Sequence, residues 1–142
     1  MPPNIVRHST VDQYRLHYKS KYSQSVIYTF DGIRVYFPQQ QFDDAFFESA
    51  NRKKKDKSVF SWQRAERIDW IGAALVDRFA ELYAGWDRNK KRIDNRRRIA
   101  LVYGDYVVVL QIYAKKKSAT FITAYIADSN TVAMIRKSPR WV

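Results

Sequence analysis

Two arginines and two hydroxyl-bearing residues form the set best suited to chemistry in this chain. Arg64 and Arg67 stand three residues apart in a helix-patterned segment, so both reach over the same edge of whatever that helix packs on. Thr123 and Tyr125 alternate along a strand-patterned segment and share a face with Phe121. The planar fork of arginine donates paired hydrogen bonds to a phosphate. RNA carries its own nucleophile, the 2′-hydroxyl. A protein that orients it, accepts its proton and stabilises the crowded phosphate therefore needs no metal. Arg64, Arg67, Thr123 and Tyr125 are accordingly the candidate catalytic residues for metal-independent RNA cleavage. The plainer alternatives are a solvent-facing flank with Glu66 as ion partner for the arginines, and ordinary β-propensity for the strand pair.

Other chemistries lack their residues. The chain has no cysteine, which removes disulfides, thiol nucleophiles and cysteine zinc sites. It has no phosphate-cradling glycine loop, no G-x-S-x-G elbow and no H-E-x-x-H. His8 and His17 lie near one end and are not at metal-ligand spacing; His8 has the chemistry of a general base near neutral pH, and a mobile terminal histidine is the plainer account of it. The adjacent carboxylates Asp43 and Asp44 read as helix-start acids rather than a magnesium site. No metal or cofactor is expected.

Charge points to the partner. The 142 residues carry 26 Lys plus Arg against 14 Asp plus Glu, a surplus of +12. Two short runs, RKKKDK at 52–57 and RNKKRIDNRRR at 88–98, hold most of it. Lys53, Lys54, Lys55, Arg92, Arg96, Arg97, Arg98, Lys115, Lys116 and Lys117 are the candidate nucleic-acid contacts, and 129–142 reads as a basic tail. One such run is usually a solvated loop, but several around one small domain favour a polyanion, and nucleic acid is the commonest. Phosphate attraction alone does not separate RNA from DNA. No apolar run approaches the ~18 residues of a membrane helix, and no basic run is built into an amphipathic helix, so no membrane partner is expected. The start, Met1-Pro2-Pro3-Asn4, lacks a basic-then-apolar leader pattern, and a cytoplasmic location is the default expectation.

The elements that must position these residues follow from patterning. With 46% hydrophobic and 15% aromatic residues, 1–142 reads as a single domain. Asp31-Gly32 between two β-rich runs predicts a two-residue hairpin over Val26 to Phe37, pairing Phe30 with Ile33, Tyr28 with Val35 and Val26 with Phe37. Thr29 and Arg34 then face the wetter side. Phe42 to Ala50 suits a short helix with Phe42, Phe46 and a third candidate, Phe47, inward. Ser58 or Ser61 offers an N-cap, and Ser61 to Val76 predicts one helix with Ala65, Ile68, Gly72 and Leu75 on its buried stripe. Ala80 to Trp86 fits either a helix tail or an edge strand. Ile99 to Tyr103 and Tyr106 to Tyr113 flank a Gly104-Asp105 turn, and Thr120 to Ala127 completes a meander. Residues 1–25 read as a loosely packed N-terminal segment. The expected class is α+β: an antiparallel sheet, made of an N-terminal hairpin and a three-stranded C-terminal meander, with one main helix packed on it.

The order of these segments carries a resemblance. FSWQRAERIDWIGAAL at 60–75, RRIALVYGDYVVVL at 97–110 and TFITAY at 120–125 together resemble the barnase–EndoU–colicin–RelE (BECR) group of metal-independent nucleases, closest to its phage and mobile-element branch. The resemblance spans about Phe60 to Asp128. It implies a helix packed on an antiparallel sheet, metal-independent RNA cleavage, and a cleft lined by Arg64 and the Thr123-x-Tyr125 pair. Several members of that group use a histidine, and neither His8 nor His17 falls in the matching stretch. The leading expectation is an endoribonuclease, a toxin or mobile-element effector cleaving structured RNA such as tRNA by 2′-hydroxyl attack. The alternative is a non-catalytic nucleic-acid-binding module with a basic, aromatic-lined face. A third reading is a subunit whose basic face docks an acidic inhibitor or antitoxin.

Overall fold

The computed structural model describes residues 2–48, 58–84, 86–87, 92–93, 98–113 and 117–137, with the backbone alone for 86–87, 92–93 and 98. In chain order the first elements are α1 (Val11–Tyr18), β1 (Ile27–Tyr28), β2 (Arg34–Tyr36), α2 (Gln41–Phe46), β3 (Phe47–Glu48) and β4 (Val59–Phe60). Then come α3 (Trp62–Ala65), α4 (Ile68–Val76), β5 (Glu81–Ala84), β6 (Trp86–Asp87) and β7 (Arg92–Ile93). The chain closes with β8 (Arg98–Tyr103), β9 (Tyr106–Tyr113), β10 (Ser118–Ile126) and α5 (Ser129–Arg136). The fold is α+β. One six-stranded sheet runs β1-β2-β10-β9-β8-β5, antiparallel except for the parallel pair β2 and β10. Two short ladders, β3 with β4 and β6 with β7, stand beside it.

The sheet is covered on both faces along Val107–Leu110, which explains the unbroken apolar run in β9. Val108 and Leu110 join the larger core with Tyr14, Tyr18, Tyr22, Phe42, Ile68 and Leu75. Val107 and Val109 join a second cluster with Tyr125, Val132 and Ile135. The β8–β9 turn forms as its residues predict: Tyr103 faces Tyr106, and Gly104 takes φ +65°. Within Ala80 to Trp86 the edge strand forms over Glu81–Ala84, which pairs with β8.

Several expectations are corrected. Residues 2–25 are tied into the core rather than loosely packed, because Tyr14, Tyr18 and Tyr22 repeat every four residues and are at most 2% exposed. A π-helical turn over Lys19–Ser23 continues α1 and keeps Tyr22 on the buried side. Their hydroxyls donate to the carbonyls of Val6 (2.7 Å), Pro38 (2.9 Å) and Ile68 (2.5 Å), so each buried polar tip is satisfied. Burial raises the pKa of Tyr18 and Tyr22 well above the ordinary phenol value, and both stay protonated donors.

The first hairpin is slipped by one residue: Tyr28 pairs with Arg34 and Ile27 with Val35. Thr29 closes the loop early by accepting the Ile33 N–H at 3.0 Å, and it also hydrogen-bonds Asp31. A one-residue slip turns a strand over. Thr29 is consequently buried, whereas Val26, Tyr28 and Phe30 are exposed.

The expected single helix is two. Ser61 caps α3 through the Arg64 N–H, as its sequence suggests. In a continuous helix the Glu66 carbonyl would accept the Trp70 N–H; it accepts the Val6 N–H instead, at 2.7 Å, and Trp70 turns to the Arg67 carbonyl. Arg67 sits at the break with φ −99°. Helix α2 stops at Phe46 because Phe47 and Glu48 pair with β4; the rest of the expected helix, 49–50, lies outside the described residues.

Residues 129–136 are a helix rather than part of a basic tail. The Asp128 side chain accepts the Thr131 N–H at 2.7 Å, a cap that holds its carboxyl below the usual range, and Val132 and Ile135 are buried against the sheet. Finally, β10 carries a bulge: Phe121 faces Leu110 and Thr123 faces Val109, which leaves Ile122 extra. Phe121 therefore enters the larger core and Tyr125 the second cluster, so the two do not share a face.

Candidate active site

The break between α3 and α4 and the end of β10 meet at a small cleft of about 80 Å³. Glu48, Gln63, Arg64, Arg67, Tyr106, Tyr125 and Ile126 line it. Three of the four candidate catalytic residues thus converge, although two come from the helices and one from the last strand. Thr123 is not among the lining residues. Its hydroxyl is buried and has no hydrogen-bond partner among the described residues.

Arg64 is the cleft's anchored cation. It is only 9% exposed. One Nη donates to the Ala45 carbonyl at 3.2 Å, Nε faces Glu48 Oε1 at 3.4 Å, and the guanidinium lies 5.9 Å from the centre of the Tyr125 ring. Arg67 is held differently. One Nη donates to the Gln63 carbonyl (2.8 Å) and to Glu66 (3.0 Å), and the guanidinium lies 5.2 Å from the Trp70 ring. Its Nε is buried without a partner among the described residues. A buried N–H left unpaired is costly, and it belongs to a residue that lines the cleft beside a second arginine, a pair of cations whose chemistry suits an anion.

Tyr106 forms the floor. Burial, and secondarily Tyr22, pushes its hydroxyl well above the ordinary phenol value against the opposing pull of Arg64 and Arg67. It therefore remains a donor, directed at the Arg67 carbonyl at 3.5 Å. Glu48 is the functional candidate that sequence reasoning missed. It sits on the β3–β4 ladder, half-exposed, with its carboxylate against Arg64. Such a group has the chemistry of a general base. Its signal is non-local: only the pairing of Glu48 with Val59, across the lysine run, brings it beside the helix that carries Arg64.

A larger hollow of about 430 Å³ lies elsewhere, between α1 and the turn at Gln39 and Gln40. Size does not make it the better site. Its arginine, Arg15, is already paired with Asp43 at 2.9 Å and stacked over Phe42, and none of the sequence candidates lines it.

Both histidines are placed by the structure, and together. His8 Nε2 and His17 Nδ1 share a hydrogen bond of 3.0 Å, and His17 Nε2 bonds Asp69 Oδ1 at 2.8 Å. Lys21 reaches the same oxygen at 2.9 Å. Burial works against ionisation of Asp69, but the hydrogen bonds and charges of Lys21 and His17 outweigh it and hold the carboxyl below the usual range. With that carboxylate ionised, a neutral His17 donates from Nε2 and so accepts from His8 at Nδ1. Neither histidine lines the cleft.

Of the candidate nucleic-acid contacts, Lys53, Lys54, Lys55, Arg96, Arg97, Lys115 and Lys116 lie outside the described residues. Arg92 and Arg98 are described as backbone in β7 and β8, and Lys117 is exposed beside β10. Among the described residues no group of three or more His, Cys, Asp or Glu could hold a metal ion, and no helix is long and apolar enough to cross a membrane. Comparison of the chain with protein families, with curated proteins and with solved structures finds no match.

Proposed function

We propose that the chain is a metal-independent endoribonuclease of the barnase–EndoU–colicin–RelE kind, with the scissile phosphate held between Arg64 and Arg67. One observation carries the reading: two arginines, a tyrosine and a glutamate, from three separate elements and the break between α3 and α4, line a single small cleft. A volume of about 80 Å³ suits one phosphate group rather than a base. Glu48 takes the proton of the 2′-hydroxyl as its oxygen attacks phosphorus. The bond to the 5′-oxygen breaks, and the Tyr125 hydroxyl protonates that leaving oxygen. The products are a 2′,3′-cyclic phosphate and a free 5′-hydroxyl. The arginines stabilise charge on the crowded phosphate, where fixed donors contribute most. In this reading the protein is a cytoplasmic toxin or mobile-element effector acting on structured RNA such as tRNA, and its basic face is the natural target of an acidic inhibitor.

Incubation with total RNA in EDTA is the test. Discrete fragments ending in 2′,3′-cyclic phosphate are expected. Folded wild-type protein that leaves RNA intact from pH 5 to pH 9 overturns the proposal. Slow growth on expression of wild type, relieved by Arg64→Gln, is the expected sign of toxicity.

A second reading, nucleic-acid binding without chemistry, is favoured by the histidines, since both are engaged outside the cleft. It predicts RNA retention with a steep salt slope from counterion release and no cleaved ends.

A further inference from the structure

The outer face of the sheet divides in two. One half is covered: α5 lays Val132 and Ile135 over Ala100, Val102, Val107, Val109 and Tyr125. The other half, towards β1, carries a different population. Ladder partners share a face. Tyr28 pairs with Arg34, Arg34 with Ser118, and Ser118 with Tyr113. Two residues along, Tyr36 pairs with Thr120, which pairs with Gln111. All of these residues therefore point to the same side. Ile27, Val35, Ala119 and Ile112 occupy the intervening positions and join the larger core on the opposite face.

Three tyrosines on this half-face are about half-exposed: Tyr28 (50%), Tyr36 (49%) and Tyr113 (49%). Three planar rings at that exposure are unusual where α5 has buried the corresponding residues a few strands away. Strand spacing puts Tyr28 and Tyr36 roughly 8 Å apart and Tyr113 on β9 roughly 12 Å from Tyr36. The Arg34 guanidinium lies over the Tyr36 ring, 4.5 Å from its centre, and the Arg34 N–H reaches the carbonyl of exposed Lys117. Cations thus sit between and beside the rings. The remaining positions are polar (Ser118, Thr120, Gln111), which disfavours an apolar protein partner.

We propose that this half-face binds single-stranded nucleic acid, with bases stacked on Tyr28, Tyr36 and Tyr113 and phosphates drawn to Arg34 and Lys117. Aromatic rings on an open sheet face stack two or three unpaired bases, and every base offers a ring to stack. The net charge of +12 supplies the matching field for a polyanion. A duplex hides its base faces and is a poor ligand for such a surface. The proposal stands apart from the cleavage reading, because no residue of this face lines the Arg64 cleft.

Fluorescence anisotropy with labelled twelve-nucleotide oligo-uridylate, oligo-thymidylate and a duplex of equal length tests it, using the full chain. The deoxy-oligomer has no 2′-hydroxyl and cannot be cut by 2′-hydroxyl attack, so loss of binding and loss of cleavage are read separately. Single strands are expected to bind more tightly than duplex. Each of Tyr28→Ala, Tyr36→Ala and Tyr113→Ala weakens single-strand binding by about five- to a hundredfold, while Tyr→Phe at the same positions keeps it. Tyrosine-dependent binding of either oligomer supports the proposal, and the tighter one gives the sugar preference. A triple alanine variant that melts like wild type and binds within twofold of it overturns the proposal. So does equal affinity for duplex, or a wild-type dimer that the triple variant abolishes, which would assign the rings to a second copy of the chain.

Discussion

The cleft and the histidine chain are built from similar materials to opposite ends. At the N-terminal side, His8, His17, Lys21 and Asp69 satisfy one another at 2.8–3.0 Å, and the result ties the segment before α1 to α4. At the cleft, Arg67 Nε has no partner among the described residues and Glu48 remains half-exposed. Imidazole is a common proton carrier near neutral pH, yet here both rings are engaged away from the cleft. At the cleft it is Arg67 that keeps an unpaired N–H among the described residues. The contrast separates a cluster that holds the fold together from one that still has a bond to offer.

The sharpest way to break this contrast is at Arg64. Arg64→Gln and Glu48→Gln are each expected to lower RNA cleavage by about a hundred- to thousandfold, the usual loss for a group that stabilises transition-state charge or moves its proton. Single-turnover rates on a defined RNA measure it. A variant cleaving within threefold of wild type would remove that residue from the site.

Next in size is Asp69→Asn, which acts on stability and spares chemistry. The ionised carboxylate that accepts from His17 and Lys21 is lost, and because the site is partly exposed the expected cost is about 1 kcal/mol. The pH dependence follows from the direction of its shift. A carboxyl held below its unfolded value contributes stability above that value and loses it as pH falls through the lowered one. Thermal melts of wild type should therefore drop more steeply on acidification than those of Asp69→Asn. Parallel acid limbs would show that the pair contributes nothing.

The smallest effect is expected at His8. His8→Gln should cost under about 1 kcal/mol, the worth of one partly exposed hydrogen bond, and leave the pH profile of cleavage unmoved. A cleavage profile that loses its limb near neutral pH would transfer the proton chemistry from Glu48 to the histidines and invert the comparison.

Much of the frame was legible wherever local rules decide the outcome. Gly104-Asp105 specifies its turn, Ser61 its cap, and the Val107–Leu110 run its doubly covered strand, because each depends on residues within a few positions. Arg64, Arg67 and Tyr125 were legible as types on rigid elements. What failed is what distant groups decide. The helix breaks because Val6 takes the Glu66 carbonyl, and the hairpin slips because Thr29 satisfies Ile33 one residue early. The bulge at Ile122, whose carbonyl accepts from Gln41 Nε2 at 2.7 Å, separates Phe121 from Tyr125 in a segment that alternates without a flaw in sequence. Glu48 was invisible for the same reason. The Tyr14, Tyr18 and Tyr22 repeat, by contrast, was readable, and its four-residue period is the signal that this segment lays one face on the core.

The parallel pairing of β2 with β10 also sets an order of events. Val35 lies opposite Ala119, a contact across more than eighty residues of chain, and the same strand β10 ends in Tyr125 at the cleft. Long-range pairings of this kind close late, because chain entropy must be overcome before they return any binding energy. On the ribosome, the outer edge of β2 therefore waits for the strand that also carries Tyr125 to the cleft. Assembly of the sheet and of the arginine cleft are thereby one event, and a nascent chain holds Arg64 and Arg67 long before it holds the tyrosine that faces them.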